Sequence, residues 1–327
     1  MRSAVAGECI LCTGGPCGRP LCHNPRTLYG PTGAHKGRPY EWSKEGWDMA
    51  EFSGKVVVVT GGSRGIGRAI AAGFARQGAQ TVLAASSAAN LAAAVQAIAA
   101  AQEGGTSGDK SGDKSGDRSH APQPLTVAAD LRQLEGCERV AATVRERFGR
   151  CDILVNSAGA TRAGNFLDLP DAAWLDGYAL KFFGCVRMTR LLWPLLKEAQ
   201  GHVVNIVGSA ARTPGAEFLI GASVNAAMAN FSKGLSQLGK RDGVNVNVIH
   251  PGSTDTERTQ QLLEQRAAAS GKTVEELRGE IYAKDGLKRL GHPDDIAALA
   301  LFLCSAPARY IQGTAIAVDG GATPGFY

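Results

Sequence analysis

The sequence predicts an α/β fold, a doubly wound parallel sheet of about seven strands with helices on both faces. Two observations carry that prediction. Short β-branched runs alternate with helix-length segments from residue 55 onward, and a glycine-rich turn joins the first run to the first helix. Parallel strands joined through helices need right-handed crossovers, which cover both faces of the sheet. Seven such strands in one sheet make a Rossmann-type domain.

In chain order, strands are predicted at Lys55–Thr60, Thr81–Ala85, Leu125–Ala129, Ile153–Asn156, Val203–Val207, Val244–Ile249 and Ala315–Val318. Helices are predicted at Ile66–Gln77, Leu91–Gln102, Leu134–Phe148, Asp171–Glu198 and Ala222–Lys240. Thr254 to Asp285 reads as a further polar, helical stretch. Its charged groups, Glu257-Arg258, Glu264-Gln265-Arg266 and Glu275-Glu276-Leu277-Arg278, read as a solvated face, and Leu262, Leu263 and Ile281 are expected to face a pocket, a hint of an apolar substrate.

At 327 residues and 44% apolar content, the chain is long enough for a large core. The net charge of +5 is spread without a block of five like charges, which argues against a nucleic-acid footprint. No apolar run approaches the ~18 residues of a membrane helix. No signal peptide is visible, and Cys137, Cys151, Cys185 and Cys304 lie in or beside apolar segments, as core thiols of a reducing compartment do. A cytoplasmic location is the expectation.

Two segments stand apart. Residues 1–48 are rich in Gly, Pro, Arg and Cys, lack strand or helix periodicity, and end just before Met49, so they are expected to be an unstructured or non-native extension. Cys9, Cys12, Cys17 and Cys22 match the spacing of a zinc knuckle with Cys17 in the His position. With no aromatic residue in or beside the motif, chance spacing is the favoured reading and no metal is expected. The second segment, 103–122, contains the tandem Ser-Gly-Asp-Lys-Ser-Gly-Asp-Lys-Ser-Gly-Asp-Arg. It has no apolar residue in the repeat to repay ordering, and it is expected to be a low-complexity loop inserted into a single domain at 49–327.

Thr60-Gly61-Gly62-Ser63-Arg64-Gly65-Ile66-Gly67 follows a strand and opens a helix, the arrangement in which backbone N–H groups bind a pyrophosphate. Further motifs follow in order: Asp130-Leu131, Asn156-Ser157-Ala158-Gly159, Pro251-Gly252 with Thr256, Arg289-x-Gly291-x-Pro293-x-Asp295, and Val318-Asp319-Gly320-Gly321. From Thr60 to Gly321 this set resembles the short-chain dehydrogenase/reductase family. The resemblance implies cofactor contacts from Gly61, Ser63, Arg64, Gly65, Ile66 and Gly67, from Asp130 and Leu131 at the adenine, from Asn156, Ala158 and Gly159, and from Pro251, Gly252 and Thr256 at the nicotinamide. Where an NAD enzyme keeps a carboxylate at the end of the second strand, this chain has Ala85, then Ser86-Ser87. Arg64 and Ser86 suit a 2′-phosphate, so NADP(H) is favoured over NAD(H).

The same resemblance exposes an altered reaction centre. The family's Tyr-x-x-x-Lys appears as Gly221-Ala222-Ser223-Val224-Asn225, and no such pair occurs elsewhere. Thirteen residues before Gly221, the family's catalytic Ser position is Gly208, and Ser209 next to it is, with Lys181, the candidate catalytic residue the resemblance leaves. Lys181 stands where the family has an Asn. Its long chain either reaches the space left at Asn225, as ribose contact or proton donor, or points elsewhere. His250 and Tyr178 are expected to be packed residues, not replacement acids or bases. The expected function is oxidoreduction of a carbonyl or alcohol with a non-standard proton donor. The alternatives are a catalytically silent dinucleotide-binding subunit or sensor, and a non-redox enzyme on the same scaffold. The partners expected are a small-molecule substrate and further copies of the chain, with a homotetramer formed through the helices at 171–198 and 221–240, where Gly184, Ala226, Ala227, Ala229 and Gly234 permit close approach.

Overall fold

In a computed structural model, residues 51–103 and 122–324 are described. The expectations for 1–48, including the four N-terminal cysteines, and for nearly all of the 103–122 insertion lie outside these residues. Among the described residues, seven parallel strands form one sheet in the order β3-β2-β1-β4-β5-β6-β7. They are β1 Val56–Thr60, β2 Gln80–Ala85, β3 Leu125–Ala128, β4 Ile153–Asn156, β5 His202–Ile206, β6 Asn245–Pro251 and β7 Ala315–Val318. Each predicted strand is present, with ends moved by two residues at most.

The sheet is buried on both faces because its apolar residues alternate between two cores. Val57, Val59, Ile153 and Val155 pack with Ile70, Phe74, Leu91 and Leu303 from α1 (Gly65–Arg76), α2 (Ala88–Glu103) and α9 (Pro293–Cys304). Val56, Val58, Leu154 and Val203 pack with Val140, Val144, Met188 and Leu192 from α3 (Leu134–Phe148) and α5 (Gly184–Glu198). Each fully buried aliphatic or aromatic side chain contributes about 1.5–3 kcal/mol. Cys137, Cys151, Cys185 and Cys304 are buried free thiols, and burial pushes Cys137 up to about 11 and Cys185 up to about 12.

The helix predicted across 171–198 is not uniform. It runs as α4 (Asp171–Gly177), a π-helical turn at Tyr178–Phe183, and then α5. A π turn swells the helix by one residue and re-aims its side chains, which is why such turns recur at functional sites. Helix α6 covers Leu219–Asp242, and the polar stretch near the C-terminus is two helices, α7 (Glu257–Ser270) and α8 (Val274–Asp285). Gly271, with φ of +69°, ends α7 in a left-handed conformation, and Thr273 with Glu276 forms a capping box that starts α8.

Strand order reverses between β1 and β4, so the connections leaving these strands diverge to opposite faces and open a crevice at their carboxyl ends. Thr60 fixes that edge. Its hydroxyl accepts from the N–H groups of Ser157 and Ala158, both at 3.1 Å, which ties the end of β1 to the turn after β4.

Among the described residues, no helix is long and apolar enough to cross a membrane. No group of His, Cys, Asp and Glu among them is placed to hold a metal ion.

Candidate active site

The crevice is a cavity of about 550 Å³ lined by residues that follow β1, β2, β3, β4 and β5, by the end of β6, and by α7 and α8. Fourteen of the fifteen cofactor residues expected from the sequence reach it. Gly61, Ser63, Arg64, Gly65, Ile66 and Gly67 form one wall, Ser86, Asp130 and Leu131 one end, and Ala158, Gly159, Pro251, Gly252 and Thr256 the rest.

The glycine wall is shaped for close backbone approach. Gly61 and Gly65 have φ of +67° and +53°, values that favour glycine. A Cβ on Gly61 would lie 2.9 Å from the Ala158 backbone, and one on Gly67 would overlap the Gly61 carbonyl oxygen. The first turn of α1 therefore meets the cavity with its N–H groups, a cradle that fits a pyrophosphate. Arg64 is the residue before α1 and lines the cavity with Ser86. Ser87 instead caps α2, its hydroxyl accepting from the Asn90 N–H at 3.2 Å.

The fifteenth residue, Asn156, is a correction. It is buried behind the cavity, where its amide donates to Asn205 at 2.8 Å and to Thr189 at 3.1 Å. Asn205 in turn donates to Ser232 at 2.7 Å. Asn156 thus ties β4 to β5 and, through Asn205, to α6. The polar type read as a ligand contact is required by a buried network.

At the other end of the cavity, Lys181 sits within the π turn, and its stem crosses Gly159 so closely that a Cβ there would lie 2.9 Å from Lys181 Cδ. Burial, and secondarily the charge of Arg258, pull its ammonium down to about 8. Gly208 also lines this end. Asn225 is 2% exposed and lies outside the cavity, its side-chain oxygen accepting from the Gly208 N–H at 3.0 Å. Gly221 is covered by Phe218, whose ring a Cβ at 221 would overlap.

Ser209, expected as a catalytic residue, is not on the cavity wall. It opens a short 3₁₀ turn, Ser209–Ala211, directly after the lining residue Gly208. His250 is 1% exposed, and its Nδ1 lies 2.6 Å from the Val207 carbonyl oxygen. Burial lowers its pKa, and the residue lines a separate cavity beside α6 and β7. Tyr178 packs edge-on against Phe182. Both agree with their reading as packed residues.

The roof holds what sequence reasoning missed. Glu257 and Arg258 are cavity residues as well as members of a charged helix. Glu257 accepts from the Gly65 N–H at 3.1 Å and from Arg68 at 2.6 Å, so its carboxylate lies on the first turn of α1. Arg258 donates to the carbonyls of Gly159 at 3.2 Å and Thr161 at 2.9 Å. Their position directly after Thr256 was the available signal. Of the apolar trio, Ile281 reaches the cavity, Leu263 is buried within the roof, and Leu262 is 47% exposed.

A crevice at the strand-order reversal, with a glycine cradle at a helix N-terminus, defines a dinucleotide-binding protein of the doubly wound class. A family model described as short chain dehydrogenase matches residues 55–267. The chain belongs to this short-chain dehydrogenase family of NAD(P)-dependent oxidoreductases. It is 34% identical over 278 residues to an uncharacterized oxidoreductase of Mycobacterium tuberculosis, covering 84% of this chain and 95% of that one. It is 32% identical over 274 residues to the 3-oxoacyl-acyl-carrier-protein reductase FabG of Vibrio cholerae, covering 83% and 98%. Among solved structures, the L-sorbose reductase of Gluconobacter frateurii, in complex with NADPH and L-sorbose, is 30% identical with a TM-score of 0.76, covering 86% of this chain and 100% of that one.

Proposed function

We infer that the protein is an NADP(H)-dependent oxidoreductase of a carbonyl or alcohol substrate, with Lys181 as its proton donor in place of the family tyrosine. The observation that carries this reading is Lys181 itself. Its ammonium lies at the reaction end of the cavity, lowered to about 8, and no hydrogen bond or ion pair engages it among the described residues. A general acid works best when its pKa is near the working pH.

The residues present fit the dinucleotide. The Gly61–Gly67 cradle would hold the pyrophosphate, Asp130 and Leu131 the adenine, Arg64 and Ser86 the 2′-phosphate, and Pro251, Gly252 and Thr256 the carboxamide. NADP(H), when bound, supplies or accepts the hydride. Lys181 holds the proton for the substrate oxygen and takes it back in the oxidative direction, while α7 and α8 exclude water. The NADPH or NADP present in related solved structures, such as the sorbose reductase and a short chain dehydrogenase of Burkholderia cenocepacia, supports the choice of cofactor. Titration of intrinsic fluorescence with NADPH and NADH tests it. NADPH binds more tightly, and Arg64→Ala reduces that preference about 10-fold or more. Equal affinities for the two would overturn it.

Phe218 over Gly221 favours a second reading, a dinucleotide-binding subunit without turnover. Tight NADPH binding with no activity across a broad carbonyl panel would select it.

The assembly proposed is a cytoplasmic homotetramer using α5 and α6. Gly184 does not serve that interface, since a Cβ there would face the Leu131 carbonyl at 3.1 Å within the same chain. Gly234 and Ala226 on α6 are exposed, as is Phe183 at the end of the π turn before α5. Light scattering at micromolar concentration that returned a monomer would reject the tetramer.

A further inference from the structure

The charged groups of the cavity do not balance. Its lining carries two carboxylates, Asp130 and Glu257, and each is already paired with an arginine, Arg132 of the same lining and Arg68 outside it. Asp130 pairs with Arg132 at 3.2 Å, and Glu257 pairs with Arg68 at 2.6 Å. Arg64, Lys181 and Arg258 have no ion pair among the described residues. Arg64 stands at the glycine turn, where a 2′-phosphate accounts for it. Lys181 and Arg258 meet at Gly159, where the lysine stem crosses the glycine and the arginine donates to its carbonyl. Burial, and then the charge of Arg64, lower the Arg258 guanidinium, so Arg258 stands within reach of both other cations. Two neighbouring cations in a half-buried cleft cost free energy unless an anion arrives. The two carbonyl bonds hold Arg258 in one orientation, and a guanidinium has five N–H donors, so donors remain for a ligand.

We propose that the substrate is a carboxylate-bearing carbonyl or hydroxy compound, an oxo acid or its hydroxy acid, with Arg258 binding the carboxylate and Lys181 facing the oxygen that changes protonation. The proposal rests on the oxidoreductase reading above and assigns its substrate class. Arg258 is then a specificity-determining residue on a helix whose charges were read from sequence as a solvated face. It belongs to the roof, and its two carbonyl bonds already tie α7 to the turn after β4.

The test uses the full chain with saturating NADP⁺ or NADPH and two probe sets: short 2-, 3- and 4-oxo acids with their hydroxy acids, and the methyl esters of each. Three quantities are measured, namely the melting-temperature shift of the NADP⁺ complex with each hydroxy compound, kcat and KM for each oxo compound, and NADPH affinity by fluorescence. Some acids in the set bind and turn over at least ~10-fold better than their esters, because a charge-assisted bidentate contact is lost on esterification. Arg258→Met lowers the acid-over-ester ratio ~30-fold through KM, and Arg258→Lys recovers part of it. NADPH affinity changes far less in both variants.

Equal binding of acids and esters overturns the proposal, as does an Arg258→Met variant whose NADPH affinity falls as much as its acid affinity. The latter would assign the guanidinium to the cofactor's phosphates. Binding decides the case even without turnover. Acids that stabilise the NADP⁺ complex through Arg258 yet are never reduced uphold this proposal and count against the oxidoreductase reading.

Discussion

The ring of Phe218 lies over the Cα of Gly221, where a Cβ at position 221 would overlap it. The glycine and the phenylalanine therefore belong together, and the space a tyrosine would enter is already filled. Restoring Gly221→Tyr with Asn225→Lys is expected to destabilise the protein and give no carbonyl reduction. Adding Phe218→Ala and Lys181→Asn clears the ring and the competing ammonium. If the scaffold positions the nicotinamide for hydride transfer, the four-fold variant reduces model ketones through the restored pair. A four-fold variant that folds and binds NADPH but stays inactive would count against that explanation.

Gly67 is expected to tolerate no side chain at all. Its missing Cβ is what lets α1 pack against the Gly61 carbonyl, and a backbone neighbour cannot rotate away. Gly67→Ala should cost roughly 1–3 kcal/mol of stability by overpacking. It should also weaken dinucleotide binding about 10-fold or more, because the first turn of α1 shifts with it. Thermal unfolding and NADPH titration read the two effects separately. Wild-type values in both would mean that the cradle adapts.

Lys181 makes opposite predictions for stability and activity. Its folded pKa is about 8 against an ordinary 10.5, so the unfolded chain binds more protons between those two values. Stability should therefore rise as pH climbs from about 8 to 10.5, and the burial penalty is fully present below 8. Lys181→Met should remove that penalty, a gain of up to roughly 3 kcal/mol at neutral pH, while lowering turnover about 100-fold or more. Reduction should decline as pH passes about 8 and oxidation should rise, because only the ammonium donates and only the amine accepts. A variant less stable than wild type at pH 7, or a flat pH profile, would refute the assignment.

Glu257 occupies a donor that a bound dinucleotide would use. Its carboxylate accepts from the Gly65 N–H, a donor of the cradle, and is steadied by Arg68. Glu257→Ala should tighten NADPH binding about 2- to 5-fold, the scale of a charge at a helix N-terminus. Weaker binding would show instead that the carboxylate orders the glycine turn.

The fold was legible because its signals are local. Val57 and Val59 face one core and Val56 and Val58 the other, as the period of a strand requires, and Gly61, Gly65 and Gly67 mark a turn whose conformation excludes other residues. Most of the cofactor wall was legible for the same reason. Asn156 could not be placed from sequence, because a buried asparagine donating to Asn205 and one contacting a ligand have the same sequence appearance. Ser209 was misread by one step: the chain turns at Gly208, and the 3₁₀ geometry after it could not be counted from residue types.

The sequence by itself determined the alternating strands and helices, the glycine cradle, and the substitution of Gly221, Asn225, Gly208 and Lys181 at positions where the family resemblance expects other residues. Periodicity and backbone conformation are properties of neighbouring residues, and these features need nothing more. Tertiary structure decided what fills the altered centre. Phe218 closes over Gly221, Asn225 turns to the Gly208 N–H, and the π turn brings Lys181 across Gly159. It also brought Arg258 to the Gly159 carbonyl from 99 residues along the chain. Such contacts depend on how helices from distant segments stack on one sheet, and no local pattern encodes them.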